Sequence, residues 1–254
     1  MSMLAEFLSD SPEAILAVHA LKRLYCKATV VGELPEVKAA LIQFINMPHE
    51  PRIFGTNLDA IWVLLQSIKG WDCVNVPAEI ASTIGSFVQK QLKRPVRYYS
   101  DFYYALSVPV RRFEHELVRR LTIEDVELLE AAPKEFRGHG YGTAIGLLED
   151  GLVACGIALD EIVSIAHTGG HTEKYADIGV ITREDWRNKG LASAAASIVA
   201  EGLQERGITP VWSTGDDNLP SVRTAQKLGF TKVSQREYVI VEENKSSFVD
   251  SGEV

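Results

Sequence analysis

Residues 176–192 combine the residue types and spacing best suited to chemistry. A β-branched run ending at Thr182 is followed by an acidic turn, by Arg187-x-x-Gly190-x-Ala192, and by a segment of small residues with helical character. This order places several backbone N–H groups at a helix N-terminus beside a strand end. Such groups, together with the positive end of the helix dipole, hold a pyrophosphate. Candidates for proton transfer lie just upstream. Tyr175 and Asp177 share one face of the strand by its period of two, and His167, His171 and Glu173 fall in a segment that reads as a loop. Asp177 is the favoured base, and it also suits a structural hydrogen-bond acceptor. His167 and His171 stand four apart, but Thr168-Gly169-Gly170 between them argues against a shared helical face, so no metal is expected.

The elements that must position these groups follow from spacing and caps. Helices are predicted over 11–28 (Ser11-Pro12-Glu13 as its start), 35–46 (Pro35, Val37, Leu41, Ile42, Ile45), 58–69 (Asn57 as cap, Gly70 as stop) and 77–92. Strands are predicted over 71–76 and 96–106, and 107–114 connects two halves. Beyond it, 117–121 reads as a strand, and Thr122 with Asp125 forms a capping box. Apolar runs 141–148 and 152–159, split by Glu149-Asp150-Gly151, predict a hairpin. Strands over 161–166, 175–181, 210–214 and 230–241 and helices over 191–206 and 221–228 complete a mixed α/β sheet with helices on its faces. The polar, acidic tail 242–254 reads as disordered. The domains expected are an N-terminal α/β domain (1–106), a linker (107–114) and a C-terminal domain (115–241).

The C-terminal residues resemble the GNAT family of N-acetyltransferases. The run from Arg187 to Ala192 is similar to that family's Arg/Gln-x-x-Gly-x-Gly/Ala signature. Asn218-x-x-Ser221 and Lys227-x-Gly229-Phe230 match the second half of its pattern, and 117–125 resembles its opening strand and helix. The likeness covers about 115–241. It implies a fold in which acetyl-CoA, as cosubstrate, enters a cleft between two splayed parallel strands, with a primary amine of a small molecule as acceptor. On this resemblance Arg187, Asn188, Lys189, Gly190, Leu191 and Ala192 bind the diphosphate, where Gly190 lets backbone approach closely. Val180, Ile181 and Thr182 pair with the pantetheine arm as an added strand would, and Gly179 marks the bulge that opens the sheet. The Val180 N–H meets the thioester oxygen, a role typically worth about 2.7–4 kcal/mol. Asn218 contacts the cofactor arm as well as capping a helix near Pro220.

One departure from the family is plain. Its tyrosine, two residues before Lys227, is replaced by Ala225. Ser221, Tyr238 or water is left to protonate the departing thiolate, whose pKa near ~8.5 makes it a tolerable leaving group without help. Two rival readings follow: transfer of a longer acyl group to glycine or a similar acceptor, and a catalytically silent acyl-CoA-binding regulatory module.

Composition bounds the rest. The chain has 254 residues, 46% hydrophobic and 24% charged, as in an ordinary globular protein. Residues 1–114 carry 12 Lys and Arg against 11 Asp and Glu, and 115–254 carry 14 against 23. The acidic half disfavours a nucleic-acid partner and suits an amine by steering, although acidic surfaces also serve solubility. Cys26, Cys73 and Cys155 form no Cys-x-x-Cys pair, so reduced thiols are expected. No basic leader or membrane-length apolar run is read, and the chain is expected to be cytoplasmic, off the membrane, and a monomer or homodimer. The N-terminal half carries no catalytic motif. By element order it reads as a degenerate second copy of the same fold or as a substrate-gating domain. Its aromatics Tyr98, Tyr99, Phe102, Tyr103 and Tyr104 suit either a pocket wall or core.

Overall fold

Three strands, a helical crossover to a parallel strand, a second helix and a last strand occur twice along the chain. The computed structural model describes residues 2–33, 35–137 and 140–242; most of the tail expected to be disordered, 243–254, lies outside them. In chain order the elements are α1 (Ser2–Leu8), α2 (Ile15–Arg23), β1 (Cys26–Glu33), β2 (Glu36–Phe44), β3 (Met47–Phe54), α3 (Leu58–Gln66), β4 (Cys73–Pro77), α4 (Ala81–Leu92), β5 (Val96–Ala105), β6 (Val118–Arg120), α5 (Val126–Ala131), α6 (Ala144–Asp150), β7 (Val153–Ala158), β8 (Glu161–His171), β9 (Tyr175–Thr182), α7 (Leu191–Glu205), β10 (Thr209–Gly215), α8 (Leu219–Leu228) and β11 (Thr231–Val241). The run β1-β2-β3-α3-β4-α4-β5 thus has the same order as β7-β8-β9-α7-β10-α8-β11.

The chain divides into two compact units that do not follow this sequential order. One holds 1–26 and 101–235, the other 27–100 and 236 onward. The division differs from the sequential boundary at 107–114 because the last strand of each half serves the other unit: residues 101–105 of β5 pair with β10, and residues 236–240 of β11 pair with β4.

In the first unit the strands run β5-β10-β9-β8-β7-β6. The β9–β10 pair is parallel, and the pairs on either side are antiparallel. Alternation along the strands separates two faces. Ala154, Ala166, Ala176, Ile178 and Trp212 face the small residues Ala195, Ala196, Val199 and Ala200 of α7. Val153, Cys155 and Ile165 face Leu129 and Leu147 of α5 and α6. Ile15 of α2 covers Tyr103, Ala105 and Val211 on that second face.

In the second unit β2 and β3 are antiparallel and β3 and β4 parallel. Its core joins Leu41 and Ile53 to Ile61 and Leu64 of α3 and Ile84 and Val88 of α4. Asn57 caps α3 as expected, its Oδ1 accepting from the Ala60 N–H at 2.9 Å.

Four sequence expectations are corrected. Residues 35–46 form strand β2 rather than a helix: Ala39, Ala40, Leu41 and Ile42 are all fully buried, and a run buried on both faces fits either periodicity. The expected 141–159 hairpin is α6 followed by β7, because Thr143 Oγ1 accepts from the Gly146 N–H and starts a helix that Gly151 ends. Residues 167–171 belong to β8 rather than a loop. Helix 11–28 is shorter, and β1 begins at Cys26.

Candidate active site

The β9–β10 ladder is short. It pairs Thr209 with Tyr175, Pro210 with Ala176 and Val211 with Asp177. Past Asp177 both strands continue, β9 to Thr182 and β10 to Gly215, without further pairing to each other among the described residues. The strands therefore fork.

Which main-chain groups face the fork follows from one hydrogen bond. The Arg183 N–H donates to Val163 O of β8 at 2.9 Å, so by alternation Ile181 and Gly179 also turn their N–H groups toward β8. Val180 and Thr182 turn theirs the other way, into the fork. The Thr182 carbonyl there accepts from Arg187 Nε at 3.3 Å. Ile181 presents its main chain to β8 and its side chain to the α5–α6 core.

Gly179 does not mark a bulge. It pairs in regular register with His167, and the register shift lies between Thr168 and Gly170 of β8. The two glycines there read as a loop in sequence, yet they allow close approach. A Cβ on Gly169 would lie 2.9 Å from Asp177 Oδ2, and one on Gly170 3.1 Å from the His19 ring.

At the end of β9 the chain turns through 183–190 into α7. Asn188 (φ 62°) and Gly190 (φ 89°) are both left-handed. A Cβ at Gly190 would meet nothing nearer than 3.9 Å, so conformation rather than crowding calls for glycine. Leu191 is 1% exposed and packs on Ala158 and Val163, fixing the helix start to the sheet. The N–H of Lys189 closes the turn over Arg187 and Asn188; those of Gly190, Leu191, Ala192 and Ser193 make no main-chain hydrogen bond among the described residues, and the first helical bond runs from Ala194 to Gly190 O. These groups border an open cavity of about 420 Å³, whose far wall is α8 through Pro220, Arg223, Thr224 and Lys227. The corresponding helix start in the other half, α3, is closed by its own Asn57 side chain.

Asp177 lies at the fork, buried, on the face opposite α7. Ser213 Oγ donates to its Oδ1 at 2.9 Å. Ser213 sits directly across from Tyr103 in the β10–β5 ladder, and Tyr103 Oη donates to buried Asp101 at 2.7 Å. Asp101, Tyr103 and Ser213 were not picked out in sequence as a polar group. The period of two along β5 puts Asp101 and Tyr103 on one face, but only the ladder brings them to Ser213.

The other candidates are placed as follows. Tyr175 is half-buried against Tyr103 and Val211, and Glu173 is exposed in the turn before β9. His167 is buried over Gly179, its Nδ1 3.0 Å from Thr168 O. His171 meets Tyr141 Oη through Nδ1 at 2.8 Å. Its N–H donates to His19 Nδ1 at 3.2 Å, and His19 Nε2 lies 2.8 Å from Gly140 O. Burial lowers the His19 pKa to about 4 and lowers that of His171.

Ser221 belongs to the α7 side of the sheet and is not brought together with Asp177. Its Oγ accepts from Trp212 Nε1 at 2.9 Å, leaving its own proton to donate. Asn218 Oδ1 accepts from the Ser221 N–H at 3.3 Å, capping α8; Asn218 does not line the cavity. Ala225 is fully buried in the α7-side core. Tyr238 lies in the second unit, where Arg52 Nη2 donates to its hydroxyl at 3.4 Å. Among the described residues no cluster of His, Cys, Asp or Glu suits a metal ion, and no helix is long and apolar enough to cross a membrane.

A family model described as GNAT acetyltransferase matches residues 79–240. No curated protein matches the chain. Similar solved structures include a GCN5-related N-acetyltransferase-like protein from Streptococcus suis 89/1591, 19% identical with TM-score 0.67, covering 95% of this chain and 98% of that one. A second, from Novosphingobium aromaticivorans DSM 12444, is a putative GNAT-family acetyltransferase, 17% identical with TM-score 0.60, covering 92% and 100%. A third is a tandem GNAT protein from the clavulanic acid biosynthesis pathway, 13% identical with TM-score 0.58, covering 96% and 95%.

Proposed function

The chain belongs to the GNAT acetyltransferase family, which uses an acyl-CoA cosubstrate, and from that premise we propose that it transfers the acetyl group of acetyl-CoA to a primary amine of a small molecule by direct attack in a ternary complex. The observation that carries this reading is the row of backbone N–H groups from Gly190 to Ser193, open to a cavity beside the fork of β9 and β10. Those donors and the α7 dipole suit a diphosphate. The outward-turned main chain of Val180 suits the carbonyl oxygen of the thioester.

In the reaction the amine nitrogen attacks the thioester carbonyl carbon. The carbon–sulfur bond breaks, an amide forms, and CoA leaves as the thiolate or thiol. The amine must lose a proton in the process, and Asp177 accepts it, directly or through water, with Ser213 holding the carboxylate in place. Ser221 is the proposed donor to the leaving thiolate, because Trp212 Nε1 donates to its oxygen and leaves its own proton to be given. On this reading the N-terminal half is a degenerate copy whose helix start is closed by Asn57, and the C-terminal half carries the acyl-CoA chemistry.

Ala225 favours a second reading. With an alanine sealed in the core where the family's tyrosine would stand, the protein serves as an acyl-CoA-binding regulatory module without turnover. Release of free thiol from acetyl-CoA, followed over a panel of small amines, separates the two. Amine-dependent release supports the transferase; tight CoA binding with no amine ever consumed supports the module.

A further inference from the structure

Four cations line the cavity between α7 and α8, namely Arg187, Lys189, Arg223 and Lys227, and no acidic side chain lines it with them. Elsewhere Arg23, Arg97, Arg112, Arg119 and Arg183 are in ion pairs; among the described residues none of the four cavity cations is. Two of them, Arg223 and Lys227, stand four apart on α8, where like charges repel and weaken a helix. Lys227 has structural grounds for its place: it suits the negative end of the α8 dipole, and its Nζ lies 4.3 Å over the Phe113 ring. Arg223 has neither. It is an exposed guanidinium facing an anion-ready cavity.

A diphosphate at the start of α7 is served by the loop's own N–H groups and by Arg187 and Lys189 on the same loop. Arg223 and Lys227, on the opposite wall, remain for a separate anion. The acyl carrier proposed above has one, a phosphate monoester on its ribose, which carries about −1.5 to −2 charge at neutral pH and matches a guanidinium fork. We propose that Arg223 and Lys227 bind the 3′-phosphate of the carrier's nucleotide end, so that the site selects CoA over dephospho-CoA. The inference rests on the acyl-CoA reading of the same cavity.

The test is a calorimetric titration of CoA and dephospho-CoA, at one ionic strength, into the full chain and into Arg223→Ala, Arg223→Lys and Lys227→Ala. The unmodified protein is expected to bind CoA about tenfold more tightly than dephospho-CoA, the size of one charge-assisted hydrogen bond. Arg223→Ala and Lys227→Ala erase that preference by weakening CoA alone, and Arg223→Lys keeps part of it. Equal affinities for the two nucleotides in the unmodified protein overturn the proposal. So does equal weakening of both by Arg223→Ala, which would assign the cation to the diphosphate. If the folded, unmodified protein binds neither nucleotide, the acyl-CoA reading itself fails.

Discussion

Ser213 hands its hydroxyl hydrogen bond to Asp177 at the first position beyond which β9 and β10 no longer pair. The 2.9 Å contact crosses the fork from one parallel strand to the other. Val211 is the last residue in register with Asp177, and Ser213, two residues on, shares its face of the sheet. The contact orients a buried carboxylate at the place where the two strands open.

If Asp177 accepts the amine proton, Asp177→Asn lowers kcat/KM by about 10²-fold or more. It also removes or displaces the limb of the pH profile that rises toward alkaline pH. Ser213→Ala, which only loosens the carboxylate, produces a smaller loss and keeps the limb. A pH profile of Asp177→Asn identical in shape to that of the unmodified protein would reject Asp177 as the base.

Replacing Ala225 with the tyrosine found at this place in the family does not restore an acid. Ala225 is fully buried beside Leu228 and Trp212, and forcing extra volume into such a site typically costs about 1–3 kcal/mol. Ala225→Tyr is therefore expected to lower the thermal midpoint without raising turnover. Ser221→Ala leaves the packing in place, removes only the hydroxyl, and lowers kcat with little change in KM. Faster turnover by Ala225→Tyr at unchanged stability would contradict this account.

The His19 cluster predicts an acid-sensitive fold. An ordinary histidine titrates near ~6.5, and burial lowers His19 to about 4. Between those values the unfolded chain binds the proton and the folded one does not. The contribution of neutral His19 is thus fully present above about pH 6.5 and is lost as pH falls toward 4. Its size is about 3 kcal/mol, and His171, lowered by the same cause, acts in the same direction. Urea unfolding at a series of pH values checks this. The unmodified protein loses stability on acidification, and His19→Phe, less stable at pH 7, shows a shallower slope. A slope the same in both proteins would remove His19 as its source.

The caps and the turn into α7 around the candidate site were legible in the sequence because their signals are local. Asn57 caps α3 and Thr122 with Asp125 caps the turn before α5; the loop at Arg187–Ala192 needs only its neighbours to form. What was not legible depends on distant partners. Gly169 and Gly170 suggest a loop until Asp177 and His19 are seen packed against them. The run Ala39–Ile42 suggests a helix until β3 covers its edge. Asp101 and Tyr103 become neighbours of Ser213 only through a ladder between residues far apart in the chain. In the same way, nothing local turns Arg223 and Lys227 toward the loop at Gly190; the packing of α8 does that.

The central claim is that the main chain from Gly190 to Ser193 receives the diphosphate of acyl-CoA, and a calorimetric titration of acetyl-CoA into Gly190→Asp tests it most directly. The substitution puts a carboxylate at the mouth of the donor row, at a position with φ 89°, in open space where the Cβ itself collides with nothing. The account predicts that acetyl-CoA binds the unmodified protein and that binding to Gly190→Asp is lost, while circular dichroism shows the fold retained. Equal affinity in the two proteins would contradict it.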